Sequence, residues 1–207
     1  MARQSATPGL SISTPLPFTY ATPPVINPRE DYGILTPSRF DGQKSGAEGG
    51  DFEAMIRMPE YKDCFFIYND NQECYLNQLK YRLRPGKGNG VMRKYQYDKP
   101  QRTSGIPTGA GGGYSALTDE VKRIIDNSID RIIELVNEGR YKRVFYSCGS
   151  DNRTIGVEIY GKKMDRRVID YITNSLRGRF HCFERDVGEA RKWAAQEKGR
   201  RIVDFWE

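Results

Sequence analysis

One stretch of the chain limits its possible folds more than any other. Between Thr118 and Gly139 the apolar residues Val121, Ile124, Ile125, Ile129, Ile132, Ile133 and Val136 recur at three-to-four spacing, the period of a single helix face. Thr118 is a capping residue, Asp119 and Glu120 complement the positive end of a helix, and Gly139 is a stop signal. The pattern predicts one helix over Leu117 to Glu138. Such a helix is about 30 Å long, and its stripe contributes on the order of 10 kcal/mol gross if buried, before conformational entropy is subtracted. A surface that broad and apolar is most simply a sheet.

The sheet has candidates. Asp63-Cys64-Phe65-Phe66-Ile67-Tyr68 is a short apolar run, predicted as a buried strand that stops in a polar Asn69-Asp70-Asn71 turn. Arg143 to Ser147 and Thr154 to Ile159 read as two more strands. A second amphipathic helix carries Val168, Ile169, Ile172 and Leu176, with Gly178 at its end. Leu76, Leu79, Tyr81 and Leu83 fit either a helix or a strand. Gly105-Ile106-Pro107-Thr108-Gly109 and Gly111-Gly112-Gly113 are too glycine-dense for a regular element and read as loop. This order of elements predicts an α/β domain, with three layers in which helices flank a mixed sheet.

Composition divides the chain. Residues 1 to 50 hold seven of the eleven prolines and no cysteine or tryptophan, and their apolar residues follow neither period. They read as an extended arm without a core of its own. Residues 51 to 185 form the expected α/β domain. Residues 186 to 207 form a C-terminal helix, with Asp186 and Glu189 as a capping box, and a tail whose Ile202, Val203, Phe205 and Trp206 need a surface to dock on. The arm is balanced in charge, so the formal net charge of +6 sits on the remainder and favours acidic partners such as phosphates. Cys64, Cys74, Cys148 and Cys182 are widely spaced, and the only histidine is His181, in an apolar alternation that suggests packing. No zinc site is expected, and no cofactor. No apolar leader or membrane-length run is apparent, so no signal peptide, no membrane-spanning segment and reduced thiols are expected.

Chemistry is expected in the loops. Gly86-Lys87-Gly88-Asn89-Gly90 can bend so that successive amides converge on a phosphate, with Lys87 and Arg93 adding positive field. The loop lacks the Gly-Lys-Ser/Thr of a Walker A motif. Tyr95, Tyr97 and Arg102 could stack on bases, or form a half-buried strand.

Several motifs occur in order: a strand ending in Asn-Asp-Asn, a Gly-x-Gly-Asn-Gly-x-x-Arg loop, Gly-Ile-Pro-Thr-Gly, a long helix, a Tyr-Ser strand, and Ile-Gly-x-x-Ile before Val-x-x-Tyr-Ile. Over about residues 62 to 177 the chain resembles a macro-domain-like family found in bacteria, phages and large DNA viruses. The resemblance implies a macro-like fold and a pocket for ADP-ribose or another nucleotide. The pocket would draw on Asn69, Asp70, Asn71, Gly86, Lys87, Gly88, Asn89, Gly90, Arg93, Thr108, Gly109 and Gly156, with Asp70 in a catalytic or adenine-recognising role or merely in an Asx turn. Ser150-Asp151-Asn152-Arg153 puts bulky polar groups where macro domains keep a compact glycine-rich phosphate loop. The leading expectation is therefore a structural or assembly protein, such as a minor capsid or cement component, located in a virion or the cytoplasm. Its arm and tail would become ordered on neighbouring protein subunits. The alternative is a nucleotide- or ADP-ribose-binding or processing protein.

Overall fold

A computed structural model of the chain describes residues 24–27, 31–39, 52–81, 88–111, 113–151, 153–156 and 164–182. In chain order its elements are β1 (Ile34–Arg39), α1 (Phe52–Met55), a 3₁₀ turn (Pro59–Tyr61), β2 (Cys64–Asp70), α2 (Gln72–Leu76) and α3 (Gln78–Tyr81). A 3₁₀ segment (Gly88–Tyr97), β3 (Thr103–Pro107), α4 (Asp119–Gly139), β4 (Arg143–Cys148), α5 (Arg166–Arg179) and β5 (His181–Cys182) follow. The strands form one sheet in the order β3-β2-β4-β1-β5, and every ladder is parallel. Among the described residues the only antiparallel pairing is a single bridge between Cys148 and Ile155. The fold class is α/β, but the sheet is parallel where a mixed one was expected. The cause is visible in β2 and β4, whose near-continuous apolar runs suit a sheet covered on both faces.

The two-residue period of a strand sorts these runs into two cores. Phe65 and Ile67 of β2 join Val144 and Tyr146 of β4 beneath Ile125, Ile129, Ile132 and Val136 of α4 and Val168, Ile172 and Leu176 of α5. Cys64, Phe66 and Tyr68 join Phe145 on the other face, packed against Phe52, Met55, Ile56, Tyr61 and Met92. Phe66 and Phe145 stack there at 5.6 Å between ring centroids. The long helix is capped as expected, with the Thr118 hydroxyl accepting from the Val121 amide at 3.2 Å. Its end differs by one residue. Gly139 stays helical, its lack of a side chain required because a Cβ there would lie 2.2 Å from the Tyr141 ring, and the left-handed turn falls on Arg140 (φ 46°), whose guanidinium lies over Tyr32.

The largest departure lies in the proline-rich segment. Residues 34–39, expected to belong to a coreless arm, form β1, which pairs with β4 through six residues and with β5 through Ile34 and Leu35. The domain therefore begins before residue 50. Leu35, Thr36 and Ser38 are buried, and Pro37 is accommodated beyond the end of the short β5 ladder. The rest of the arm, apart from residues 24–27 and 31–33, lies outside the described residues, as do the C-terminal helix and tail. A second departure is Thr103–Pro107, expected as loop and found as the edge strand β3. Its glycine, Gly105, sits opposite Tyr68, where a Cβ would come within 2.7 Å of the Asp70 side chain. A third is that Asn69 and Asp70 pair with Ile106 and Pro107, so they end the strand and do not begin a turn. Of the strand expected over 154–159, the Ile155 bridge is described and 157–159 lie outside the described residues. Tyr95 and Tyr97, expected in a half-buried strand or as base-stacking groups, lie in the 3₁₀ segment. There Tyr97 donates to the Gln78 carbonyl, Tyr95 accepts from Arg57, and Arg102 donates to the Tyr61 and Ile56 carbonyls.

No helix among the described residues is long and apolar enough to cross a membrane. Connections that step toward β3 run over the Phe66 face, and those that step toward β5 run over the Phe65 face, as a single crossover handedness demands. The chain therefore leaves the neighbouring strands β2 and β4 in opposite directions, which makes their C-terminal ends a topological switch point. Parallel α/β sheets bind ligands at such a switch point.

Because β1 is interior to the sheet, hydrogen exchange should find the amides of Leu35, Thr36 and Ser38 protected by orders of magnitude relative to an unstructured peptide. Exchange at the unstructured rate there would return this segment to the arm.

Candidate functional site

Strand alternation decides how the end of β2 presents its polar residues. Asp70 follows Tyr68 onto the Phe66 face, and Asn69 follows Ile67 onto the opposite one. The structure thus divides two neighbours that the sequence places in one turn.

Asp70 is only 2% exposed, and its carboxylate forms an ion pair with Arg93 of the 3₁₀ segment, itself 5% exposed. Two more donors complete the carboxylate: the Asn71 amide at 2.8 Å and the Tyr68 hydroxyl at 3.3 Å, and Tyr68 in turn accepts from the Gln96 side chain. Burial first, and then the Asp70 charge, push the Tyr68 phenol well above its ordinary pKa, so it remains a donor. Burial is the largest influence on Arg93 and opposes its charge, but the hydrogen bonds it donates to Asp70 together with the Asp70 charge outweigh it and keep the guanidinium ionised. The Asp70 carbonyl accepts from both the amide (2.9 Å) and the hydroxyl (3.1 Å) of Thr108, tying β2 to the loop after β3. Asn71 caps α2 by accepting from the Glu73 amide at 2.9 Å.

On the opposite face the Asn69 side-chain amide donates to the Gly156 carbonyl. That bond fixes the orientation of the amide, and Asn69 Oδ1 is buried without a hydrogen-bond partner among the described residues. Gly156 has to be glycine, because a Cβ would lie 2.6 Å from the Cys148 carbonyl oxygen. The turn between them is closed on itself. Asp151 accepts from the Arg153 and Thr154 amides and the Thr154 hydroxyl, Gly149 donates to Thr154, Ile155 to Thr173 and Gly156 to Ser147. These amides are committed and cannot also cradle a phosphate.

The loop after β3 is the reverse case. Gly109, Gly111 and Gly113 have φ of 102°, 55° and 87°, and Tyr114 closes the loop by donating its amide to the Thr108 carbonyl at 3.1 Å. Gly109 accepts from the Gln72 amide, which seats α2 beside the loop. The amides of Gly109, Ala110, Gly111 and Gly113 donate to nothing among the described residues. A chain of uncommitted amides in left-handed turns is the makings of an anion-binding nest.

Seven of the expected site residues, Asn69, Asp70, Asn71, Arg93, Thr108, Gly109 and Gly156, therefore meet at the C-terminal ends of β2, β3 and β4. Their roles differ from expectation in one respect: Arg93, expected to add field to a phosphate site, spends its charge on Asp70. Gly86 and Lys87 lie outside the described residues. Gly88, Asn89 and Gly90 open a 3₁₀ segment, and Gly90 has no left-handed backbone; a Cβ there would meet the Arg93 guanidinium only at an ordinary contact distance of 3.5 Å. Sequence reasoning missed Tyr68, Gln96, Gly105 and Tyr114. The triple glycine before Tyr114 was the signal that could have found the loop.

Two reactive side chains are also placed. Cys148 is buried at the end of β4, and burial together with the nearby Asp151 charge pushes its thiol up to about 12. His181 lies on the short edge strand β5, half-exposed, with its ring bonded to the Asn27 carbonyl, rather than packed in the core. At pH 8 alkylation of the native protein should modify the half-buried Cys74 at least ten times faster than Cys148, as read by peptide mapping. Comparable rates would mean that Cys148 is accessible and ionised. Comparison with known proteins gives no match to a family model, a curated protein or a solved structure.

Proposed function

We propose that the chain binds a phosphate-bearing ligand of the nucleotide class in the crevice between the C-terminal ends of β2, β3 and β4. The observation that carries this reading is the loop after β3, where the amides of Gly109, Ala110, Gly111 and Gly113 donate to nothing among the described residues, while in the neighbouring turn those of Gly149, Arg153, Thr154, Ile155 and Gly156 are taken up. Beside it, Asn69 Oδ1 offers a fixed acceptor to a ligand donor. The macro-like resemblance favours ADP-ribose or a mononucleotide within that class.

The reading is one of binding rather than turnover. The Asp70 carboxylate is engaged by Arg93, the Asn71 amide and the Tyr68 hydroxyl, and Cys148 remains a thiol at neutral pH. The assembly role expected from the proline-rich arm rests on residues that lie for the most part outside the described ones.

Ligand at a hundred times its dissociation constant should stabilise the protein by about 2.7 kcal/mol, which a thermal-shift titration with ADP-ribose or AMP detects. Gly111→Val should abolish the shift. The space around Gly111 is open, with nothing within 4 Å, so the substitution acts through its left-handed backbone alone. A saturable shift that survives in this variant would move the site elsewhere, and no shift with either ligand would remove the reading.

A further inference from the structure

Ahead of β1 the chain touches the domain at a second place. Residues 24–27 lie against the junction of α5 and β5: the Ile26 amide donates to the Arg179 carbonyl at 2.8 Å, and the Asn27 carbonyl meets the His181 ring. Ile26 is 3% exposed and joins the core that α4 and α5 cover, while its neighbours Val25 and Asn27 are exposed. Gly33 makes room for it: a Cβ there would come within 2.8 Å of Ile26 Cγ2, so a side chain at position 33 would evict it. His181 pairs with Ile34, the first residue of β1, which puts this contact at the N-terminal ends of the strands, away from the loops of the candidate site.

The start of β1 is fastened separately. Tyr32 donates its hydroxyl to Asn137 Oδ1 at 3.0 Å, the Arg140 guanidinium lies 4.3 Å from the centre of the Tyr32 ring, and the Gly33 amide donates to the Tyr141 carbonyl at 2.7 Å. These partners belong to the end of α4 and the turn before β4, whereas those of Ile26 and Asn27 belong to the end of α5 and the start of β5. Two stretches with different partners, meeting through the contact of Ile26 with Gly33, need not open together. Proteins open locally in contiguous units, and a short stretch with a single buried residue belongs to the low-stability end of that range.

We infer that residues 24–27 form a strap, anchored by Ile26, that closes over the N-terminal end of the β1 and β5 pair and opens as a unit while β1 stays in the sheet. Closed, it fixes the point at which the chain ahead of residue 24 leaves the domain, at the end of the strands opposite the candidate ligand site. Opening frees that segment and uncovers the apolar seat of Ile26 without disturbing the site.

The test is native-state hydrogen exchange on the full chain, wild type against Ile26→Ala, with each amide corrected for its intrinsic rate. In the wild type the Ile26 amide should exchange roughly tenfold faster than the Gly33 amide or more, although both are hydrogen-bonded. In Ile26→Ala exchange at residue 26 should rise by roughly a further tenfold. The amides of Gly33, Leu35 and, at the other end of the strands, Thr108 should stay within about twofold of the wild type. Equal protection of Ile26 and Gly33 in the wild type, or a rise in the variant that spreads to Gly33 and Leu35, would make the segment an inseparable part of β1 and overturn the inference. A variant that no longer folds would overturn it in the same way, and unchanged exchange at residue 26 would remove Ile26 as the anchor.

Discussion

A single ion pair, buried under the C-terminal edge of the sheet, sets the arrangement of everything above it. Asp70 and Arg93 are 23 residues apart in sequence and belong to different elements, yet each is almost entirely removed from water. Removing either partner would leave an uncompensated buried charge, and such losses typically cost about 3–5 kcal/mol. The pair therefore fixes the 3₁₀ segment against β2. The remaining bonds of Asp70 extend that constraint to the Thr108 loop, to Tyr68 and Gln96, and to the cap of α2. Gly105 is the concession the neighbouring strand makes, since any side chain there would displace the carboxylate.

With Asp70 held in this way, the two loops that follow β3 and β4 take on unlike characters. One folds around Asp151, which takes up the Arg153 and Thr154 amides, while in the other, hung between Thr108 and Tyr114, the amides of Gly109, Ala110, Gly111 and Gly113 donate to nothing among the described residues. Satisfied polar groups make a rigid wall, and unsatisfied ones make a surface that gains by contact with a ligand. The polarity of the crevice follows from this asymmetry. It presents uncharged donors on the β3 side and one fixed acceptor, Asn69 Oδ1, on the β4 side.

Much of this framework can be read in the sequence, and the parts that cannot have physical causes. The α4 stripe and its Thr118 cap are legible because twenty-one residues carry one period and one strong boundary signal. The cores of β2 and β4 are legible from their apolar runs. By contrast, β1 hides among prolines, since its Thr36 and Ser38 are buried by pairing with β4 and not by any hydrophobicity of their own. β3 hides behind Gly105 and Pro107, each of which argues against a strand locally, and Gly105 is required by a neighbour, Asp70, that the sequence does not show. Both Asp70 and Arg93 stand out as site candidates in the sequence, but no local rule couples residues so far apart. Arg93 was therefore assigned to a ligand and not to its true partner. The open loop was visible as a glycine run, whereas the commitment of the Gly149–Gly156 amides emerges only from the fold.

The most direct measurement is a double-mutant cycle on the buried pair, with Asp70→Asn, Arg93→Met and the combination compared by urea unfolding. If the pair organises the rim, each single substitution destabilises strongly. The double substitution then costs less than the two together, with a coupling of at least about 2 kcal/mol. Additive losses, with coupling within about 0.5 kcal/mol, would show that Asp70 and Arg93 act independently and would contradict the account.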